Sequence, residues 1–374
     1  MKTMMKNLTA IIAVAATGLG AASSSMAAPV VIGVPLATTG IYAFAGALQR
    51  NGLELALEEL KASGNDNLKI IIEDTQSERN QAITLSNRLA QRDNAALIIG
   101  LTSTVETLAA APISTENKLP FLSPASGNVT TAGEYIFKVI ATPATIMLPV
   151  ADYIAKRGDI KSVIYVFNRD NESYVAQKDA VKNHLESQGI KTISEEGVLG
   201  SDTDFLALAT KLASRNADAI VLASTPELSA NVIIQSRQAG IDPKTLFVGT
   251  PSMASPQFLK VGGKAVEGTV YVSDYFIGGD SDLNKKFVES YRARYKEDPD
   301  MWAAVGYTEM QLAAEAVRLA GDNPDRASLT QALGKIKDFP VVLGNGNFSI
   351  NDQRLPEYGG FVLQIKDGKQ VLVD

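Results

Sequence analysis

The chain has 374 residues, of which 45% are hydrophobic, with a formal net charge of -6, one histidine and no cysteine. Without cysteine there can be no disulfide, thiol nucleophile or thiolate metal site, and a lone histidine leaves serine triads and histidine-based zinc sites without their parts. The acidic balance argues against nucleic acid or an anionic membrane surface as a partner.

Lys2 and Lys6 precede an apolar run over residues 10–22, and small residues then lead to Ser25-Met26-Ala27. This is the layout of a secretory signal peptide cleaved after Ala27. The run falls short of the ~20 apolar residues that span a bilayer, and no cysteine follows to carry a lipid. Residues 1–27 are therefore expected to be removed, leaving an exported chain with no membrane insertion. Without Lys2 and Lys6 it has 33 basic and 41 acidic residues, a net of -8.

Strand-like and helix-like segments then alternate. Residues 30–34 are a β-branched strand, and 44–60 carry leucines at helical spacing among glutamates. Residues 69–73 read as strand, 79–91 as helix, 96–99 as strand, 104–116 as helix and 120–123 as strand. A second series follows Thr142-Pro143: strands at 162–167, 192–198, 219–223, 246–248 and 268–273, with helices at 174–188, 205–214 and 227–239. This rhythm predicts parallel sheets with helices on both faces, in two similar lobes. The remainder departs from it. Helices at 282–296, 303–319 and 327–336 come without strands between them. A Gly344-Asn345-Gly346-Asn347 turn and a hairpin at Asp367-Gly368 joining 360–365 to 370–373 complete the chain. This tail is expected to complete the two lobes.

In an open α/β sheet, ligands gather at the carboxyl ends of strands. Two segments stand there. In Gly100-Leu101-Thr102-Ser103-Thr104, helix-start amides and the Ser103 and Thr104 hydroxyls suit a carboxylate or other acceptor-rich group; equally, a hydroxyl there caps the helix. In Leu122-Ser123-Pro124-Ala125-Ser126-Gly127, backbone donors and the Ser126 hydroxyl face the same crevice. Tyr42, Phe44 and Tyr174 follow other strands and either wall a site or anchor loops. His184, beside Lys182 and Asn183, reads as a half-exposed helix residue. The Walker phosphate loop is absent, as is any G-x-G-x-x-G or calcium-loop spacing, so no cofactor is expected and no enzyme is indicated.

The run Val31-Ile32-Gly33-Val34-Pro35-Leu36-Ala37-Thr38-Thr39-Gly40, followed by 46–59, resembles the opening of the leucine/isoleucine/valine-type periplasmic binding proteins. Ile72-Glu73-Asp74-Thr75, Gln81-Ala82, 89–100, Ala109-Ala110-Ala111-Pro112 and Leu122-Ser123-Pro124 continue the likeness. Phe205, 219–223, Gln238-Ala239-Gly240, Val266-Glu267-Gly268 and Phe348 carry it nearly to the end. The resemblance implies two Rossmann-like lobes joined by three crossing strands, the type I periplasmic binding fold. The lobes are expected at 28–142 plus 274–350 and at 143–273 plus 351–374. It further implies a monomer in the periplasm that closes on a small molecule and delivers it to an inner-membrane ABC permease, or a subunit that signals ligand to a membrane receptor. Carried over residue by residue, Thr104, Ala125 and Gly127 fall on the positions that hold an amino-acid carboxylate, with Gly127 replacing the usual Thr or Ser. Phe44 and Tyr174 fall on aromatic wall positions. With Thr102, Ser103, Ser126, Ser224 and Met253 they form the expected ligand set. The acid that holds a ligand ammonium in this family is missing: the loop reads Gly249-Thr250-Pro251-Ser252-Met253, and the assisting tyrosine falls on Ser224. Burying an ammonium without a counter-charge is costly. Unless Glu172, Glu227 or Asp274 substitutes, which would leave a standard branched-chain amino acid binder as the alternative, a carboxylate-bearing or neutral polar ligand, including an aromatic acid or amide, fits better than an ordinary α-amino acid.

Overall fold

A computed structural model describes residues 29–65 and 67–373; the expected signal peptide lies outside them. The chain opens with β1 (Val30–Leu36), α1 (Ala43–Ala62), β2 (Leu68–Asp74), α2 (Arg79–Gln91), β3 (Leu97–Ile99), α3 (Thr104–Asn117), β4 (Phe121–Ser123) and β5 (Ile136–Lys138). These strands make one parallel sheet in the order β2-β1-β3-β4-β5. Helices on both faces explain why β1 is apolar along nearly its whole length.

After the first crossing come α4 (Pro143–Lys156), β6 (Ser162–Asn168), α5 (Glu172–Ser187), β7 (Lys191–Val198), α6 (Leu206–Arg215), β8 (Ala219–Ala223), α7 (Pro226–Gln238), β9 (Leu246–Gly249), α8 (Pro256–Gly262) and β10 (Val270–Ser273). The chain then crosses back into α9 (Asp282–Tyr295), α10 (Met301–Ala320), α11 (Arg326–Leu333) and the short pair β11 (Phe339–Pro340) and β12 (Asn347–Phe348). It crosses a third time into the hairpin of β13 (Phe361–Lys366) and β14 (Lys369–Leu372). The second sheet runs β14-β13-β10-β9-β8-β6-β7, parallel except at β13 and β14. The expected two-sheet α/β architecture is present. No helix among the described residues is long and apolar enough to cross a membrane.

The tail helices return to the first half. Gly52 of α1 and Gly306 of α10 let the two helices meet backbone to backbone: a Cβ on Gly306 would lie 1.9 Å from the Gln49 carbonyl oxygen, and one on Gly52 would lie 1.8 Å from that of Ala303. Beyond this contact, the Tyr307 hydroxyl donates to Glu59, and Arg326 donates to the carbonyls of Ala90, Ala95 and Asn117.

The three crossing segments are bonded together at one buried cluster. Tyr358, on the third crossing, donates to Asp274 on the second at 2.7 Å and accepts from the Ala141 amide on the first at 3.3 Å. Lys138, fully buried at the end of β5, donates to the carbonyls of Ala125 and Gly127 (2.7 Å for the latter). Burial pushes the Lys138 amine down to about 7, opposed by the Asp274 charge, and pushes the Asp274 carboxyl up to about 6. Helix α4 and strand β5 have no counterpart in the sequence reading. Pro149 sits inside α4, which starts at a Thr142 cap with Pro143 in its first turn, and β5 is only three residues long.

Candidate ligand cleft between the two sheets

In each sheet the strand order reverses once, beside β1 and β3 in the first and beside β6 and β8 in the second. Loops after these strands face one another, as expected for ligand crevices at topological switch points. Between them lies a cavity of about 40 Å³ lined by Tyr42, Phe44 and Ala45, by Thr102, Ser103 and Thr104, by Ser126, by Asn171, Ser173 and Tyr174, and by Trp302. Larger hollows exist, one of about 540 Å³ between α9 and the segment that follows β10.

Each wall residue has a local cause. Asp74 at the end of β2 accepts the Thr38 and Thr39 amides at 3.0 and 3.2 Å, and the Ser77 hydroxyl accepts the Tyr42 amide at 3.0 Å, fixing the turn that presents Tyr42 and Phe44. The Phe44 ring meets Trp302 edge-on at 6.2 Å. Trp302 is delivered by the start of α10, where Asp300 caps the Ala303 amide at 2.8 Å. On the opposite side Asn171 caps α5 through the Ser173 and Tyr174 amides at 2.9 and 3.4 Å and donates to the Tyr42 hydroxyl at 2.8 Å. Ser126 and Ser173 hydroxyls bridge the walls at 2.5 Å. The two halves therefore touch across the cleft. Small-molecule pockets run to ~300 Å³ or more, so admitting a ligand requires them to part. Burial raises the Tyr42 and Tyr174 phenols, which stay protonated donors.

Of the expected ligand set, Phe44, Thr102, Ser103, Thr104, Ser126 and Tyr174 come together around the cavity. Ala125, Gly127, Ser224 and Met253 do not line it. The Ala125 amide donates to the Ser123 hydroxyl at 3.2 Å, and the Gly127 amide donates to Thr104 Oγ1 at 2.9 Å, so both expected backbone donors are already taken. Gly127 is where it is because a Cβ would fall 2.5 Å from the Thr104 methyl. Ser224 turns to the Ser229 hydroxyl at 2.6 Å, too short a side chain to reach the cleft as a tyrosine would. Met253 folds inward over Gly249, filling the space a Cβ there would take. Ser103 caps α3 in a reciprocal box with Glu106, so the capping alternative holds at this residue.

Tyr42, Asn171, Ser173 and Trp302 lie outside the expected set. Asn171 and Ser173 sit in the polar loop just after a recognised strand, and Trp302, the only tryptophan, stands one residue before the expected helix start. His184 lies 2.8 Å from Asp152 and is not among the cleft residues. No acid or base lines the cavity: Glu172 and Glu227 are exposed, and Asp274 is held by Tyr358 at the crossings.

Two sheets, three crossings and a cleft at facing switch points define a two-lobed binding protein of the type I periplasmic class. The sequence profile of the family described as periplasmic binding protein matches residues 29–370, and the chain belongs to that family. It is 26% identical over 367 residues to an amino acid binding protein of Pseudomonas aeruginosa, covering 93% of this chain and 95% of that one. Its fold matches a leucine-binding protein from Thermotoga maritima with a TM-score of 0.86 at 25% identity, covering 92% of this chain and 98% of the other. It also matches a Rhodopseudomonas palustris solute-binding protein of an ABC transporter, in complex with 3,4-dihydroxybenzoic acid, with a TM-score of 0.82 at 23% identity over 92% and 96% of the two chains.

Proposed function

We propose that this protein is the solute-binding component of an ABC importer, exported to the periplasm, where it captures a carboxylate-bearing or neutral polar ligand such as an aromatic acid or amide. Its halves close on the ligand, and as a monomer it presents the closed form to an inner-membrane permease. One observation carries this choice over an α-amino acid: the cavity is walled by Tyr42, Phe44, Tyr174 and Trp302 and by hydroxyls, with no charged side chain lining it. Rings enclose a planar apolar body, whereas an ammonium group would be buried without a partner. The crossings at 139–142, 274–281 and 349–360 act as the hinge. Arg354 bonds to the Ile136 and Thr130 carbonyls, which supports counting the stretch up to Arg354 with the first lobe.

A thermal-shift screen with benzoate, 3,4-dihydroxybenzoate, benzamide and leucine tests this. A ligand that binds only the native state raises the melting temperature by mass action, about 2.7 kcal/mol at a hundredfold excess over Kd. Aromatic acids or the amide should shift it and leucine should not. A large shift with leucine alone overturns the proposal.

A further inference from the structure

Behind the cleft floor lies a carboxyl that lines no cavity. Glu106 is fully buried in the first turn of α3. Ser103 Oγ donates to its Oε2 at 2.6 Å, the Ser103 amide donates to the same oxygen at 3.1 Å, and the Thr75 hydroxyl donates to Oε1. In return the Glu106 amide donates to Ser103 Oγ at 3.3 Å. The titratable groups that act on it are Asp74 at the end of β2 and Tyr42 before α1, and no cation is bonded to it. Burial, with the Asp74 charge adding to it, raises this carboxyl against the pull of its hydrogen bonds.

A serine hydroxyl has one hydrogen and two lone pairs. With Glu106 ionised, the Ser103 hydrogen points at Oε2, one lone pair takes the Glu106 amide, and the other faces the cleft. With Glu106 protonated, its O–H donates to Ser103 Oγ, both lone pairs are filled and the serine hydrogen turns to the cleft. Thr102 beside it has the same polarity. Its oxygen accepts the Ala37 amide at 3.1 Å and its hydrogen faces Gln49 Oε1 at 3.3 Å, while Gln49 is held by the buried Glu309 at 2.6 Å.

We propose that Glu106 is a specificity-determining residue that sets the direction of the Ser103 hydroxyl, so that capture of a carboxylate takes up a proton onto Glu106. This presupposes that the cleft accepts an acid, as proposed above. The proton comes from solvent and forms the Glu106 O–H bond; no other covalent bond changes. A neutral ligand that presents an N–H donor to Ser103 binds without it.

Calorimetric titration of benzoate and benzamide into the full mature protein, in buffers of different ionisation heat between about pH 5 and about pH 9, counts the protons. Benzoate should bring close to one proton at the alkaline end, with affinity falling nearly tenfold per pH unit there, and benzamide none. Glu106→Gln keeps the capping box, since glutamine serves at that position; the oxygen that accepts the Ser103 amide also accepts the Ser103 hydroxyl, so the serine hydrogen stays turned from the cleft at every pH. The variant should bind benzoate with no pH dependence and at least tenfold more weakly than wild type at about pH 5. Benzoate bound by wild type with no net proton uptake across the range overturns the role of Glu106 alone. Failure of benzoate and benzamide with both wild type and variant overturns the proposed ligand class, and this role with it. The wild-type proton count needs no variant to fold.

Discussion

On the first-sheet wall of the cleft, Thr102, Ser103 and Thr104 are each tied back into their own half, to Gln49, Glu106 and the Gly127 amide. On the second-sheet wall, the polar groups Asn171 and Ser173 come from one helix start, and their bonds reach across the cleft, to Tyr42 and Ser126. The first wall is a preset surface whose side chains are held in place before a ligand arrives, with only the Ser103 hydrogen left to turn; the second is the part whose contacts must break and reform. Fixing one wall limits the rotamer entropy lost on binding, and under the proposed hinge closure the other is the wall that moves.

The fixed wall rests on α1 against α10, and the largest effect is expected from lifting it. By helix propensity alone, Gly306→Ala gains about 1 kcal/mol. Its new Cβ would sit 1.9 Å from the Gln49 carbonyl oxygen, which is backbone and cannot swing away. Overpacking of this kind costs ~1–3 kcal/mol and more where backbone must shift, so a net loss of about 3 kcal/mol is expected in urea denaturation, with ligand affinity falling as Gln49, Thr102 and Trp302 move. A stabilised variant would show that the two helices are not in contact there.

The fold was legible because its signals are local. Buried parallel strands such as 219–223 are continuous apolar runs, and helices such as 79–91 repeat their apolar residues at helical spacing, so both read from neighbours in sequence. The site was legible only as far as strand ends give addresses. Thr104 and Tyr174 follow from that rule, and Trp302 does not, because its place at the cleft depends on α10 packing back across 250 residues of chain onto α1. Ser224 and Met253 failed for a different reason: position on a strand end does not fix side-chain direction, and a short serine and a glycine opposite the methionine both favour the core. Glu106 was within reach, since Ser103-Thr104-Val105-Glu106 has the spacing of a capping box, but its burial required the Thr75 loop to cover it.

The hinge side of the fixed wall offers a smaller effect with a pH signature. Lys138 holds the Ala125 and Gly127 carbonyls, and so the loop against which Thr104 is set. Replacing it with methionine loses buried hydrogen bonds worth about 2 kcal/mol. The sign with pH follows from its amine being lowered from 10.5 to about 7. Above about pH 7 the unfolded chain holds the proton and the folded one does not, so wild-type stability on this account rises from about pH 7 towards about pH 10. Lys138→Met should lack that rise, making its deficit larger at pH ~10 than at pH ~7. Asp274, raised to about 6, acts in the opposite sense but in a separate window: its contribution falls as pH climbs from about 4 to about 6. Parallel stability profiles for wild type and Lys138→Met across the alkaline range would mean that Lys138 stays charged when folded.

The smallest effect belongs to the moving wall. Asn171→Ala removes the cap on the Ser173 and Tyr174 amides and the bond to the Tyr42 hydroxyl in one change. Loss of an asparagine cap costs typically ~1 kcal/mol of stability, less than either change above, because no backbone is forced to shift and no buried charge site is altered. Its consequence for binding should lie in the dissociation rate, since the Tyr42 bond exists only when the cleft is closed, whereas the encounter of ligand with the first wall is untouched. Stopped-flow measurement with an aromatic acid that binds should therefore find faster release and an unchanged association rate. A slowed association with normal release would place Asn171 on the fixed side of the comparison and make the second wall the one that receives the ligand first.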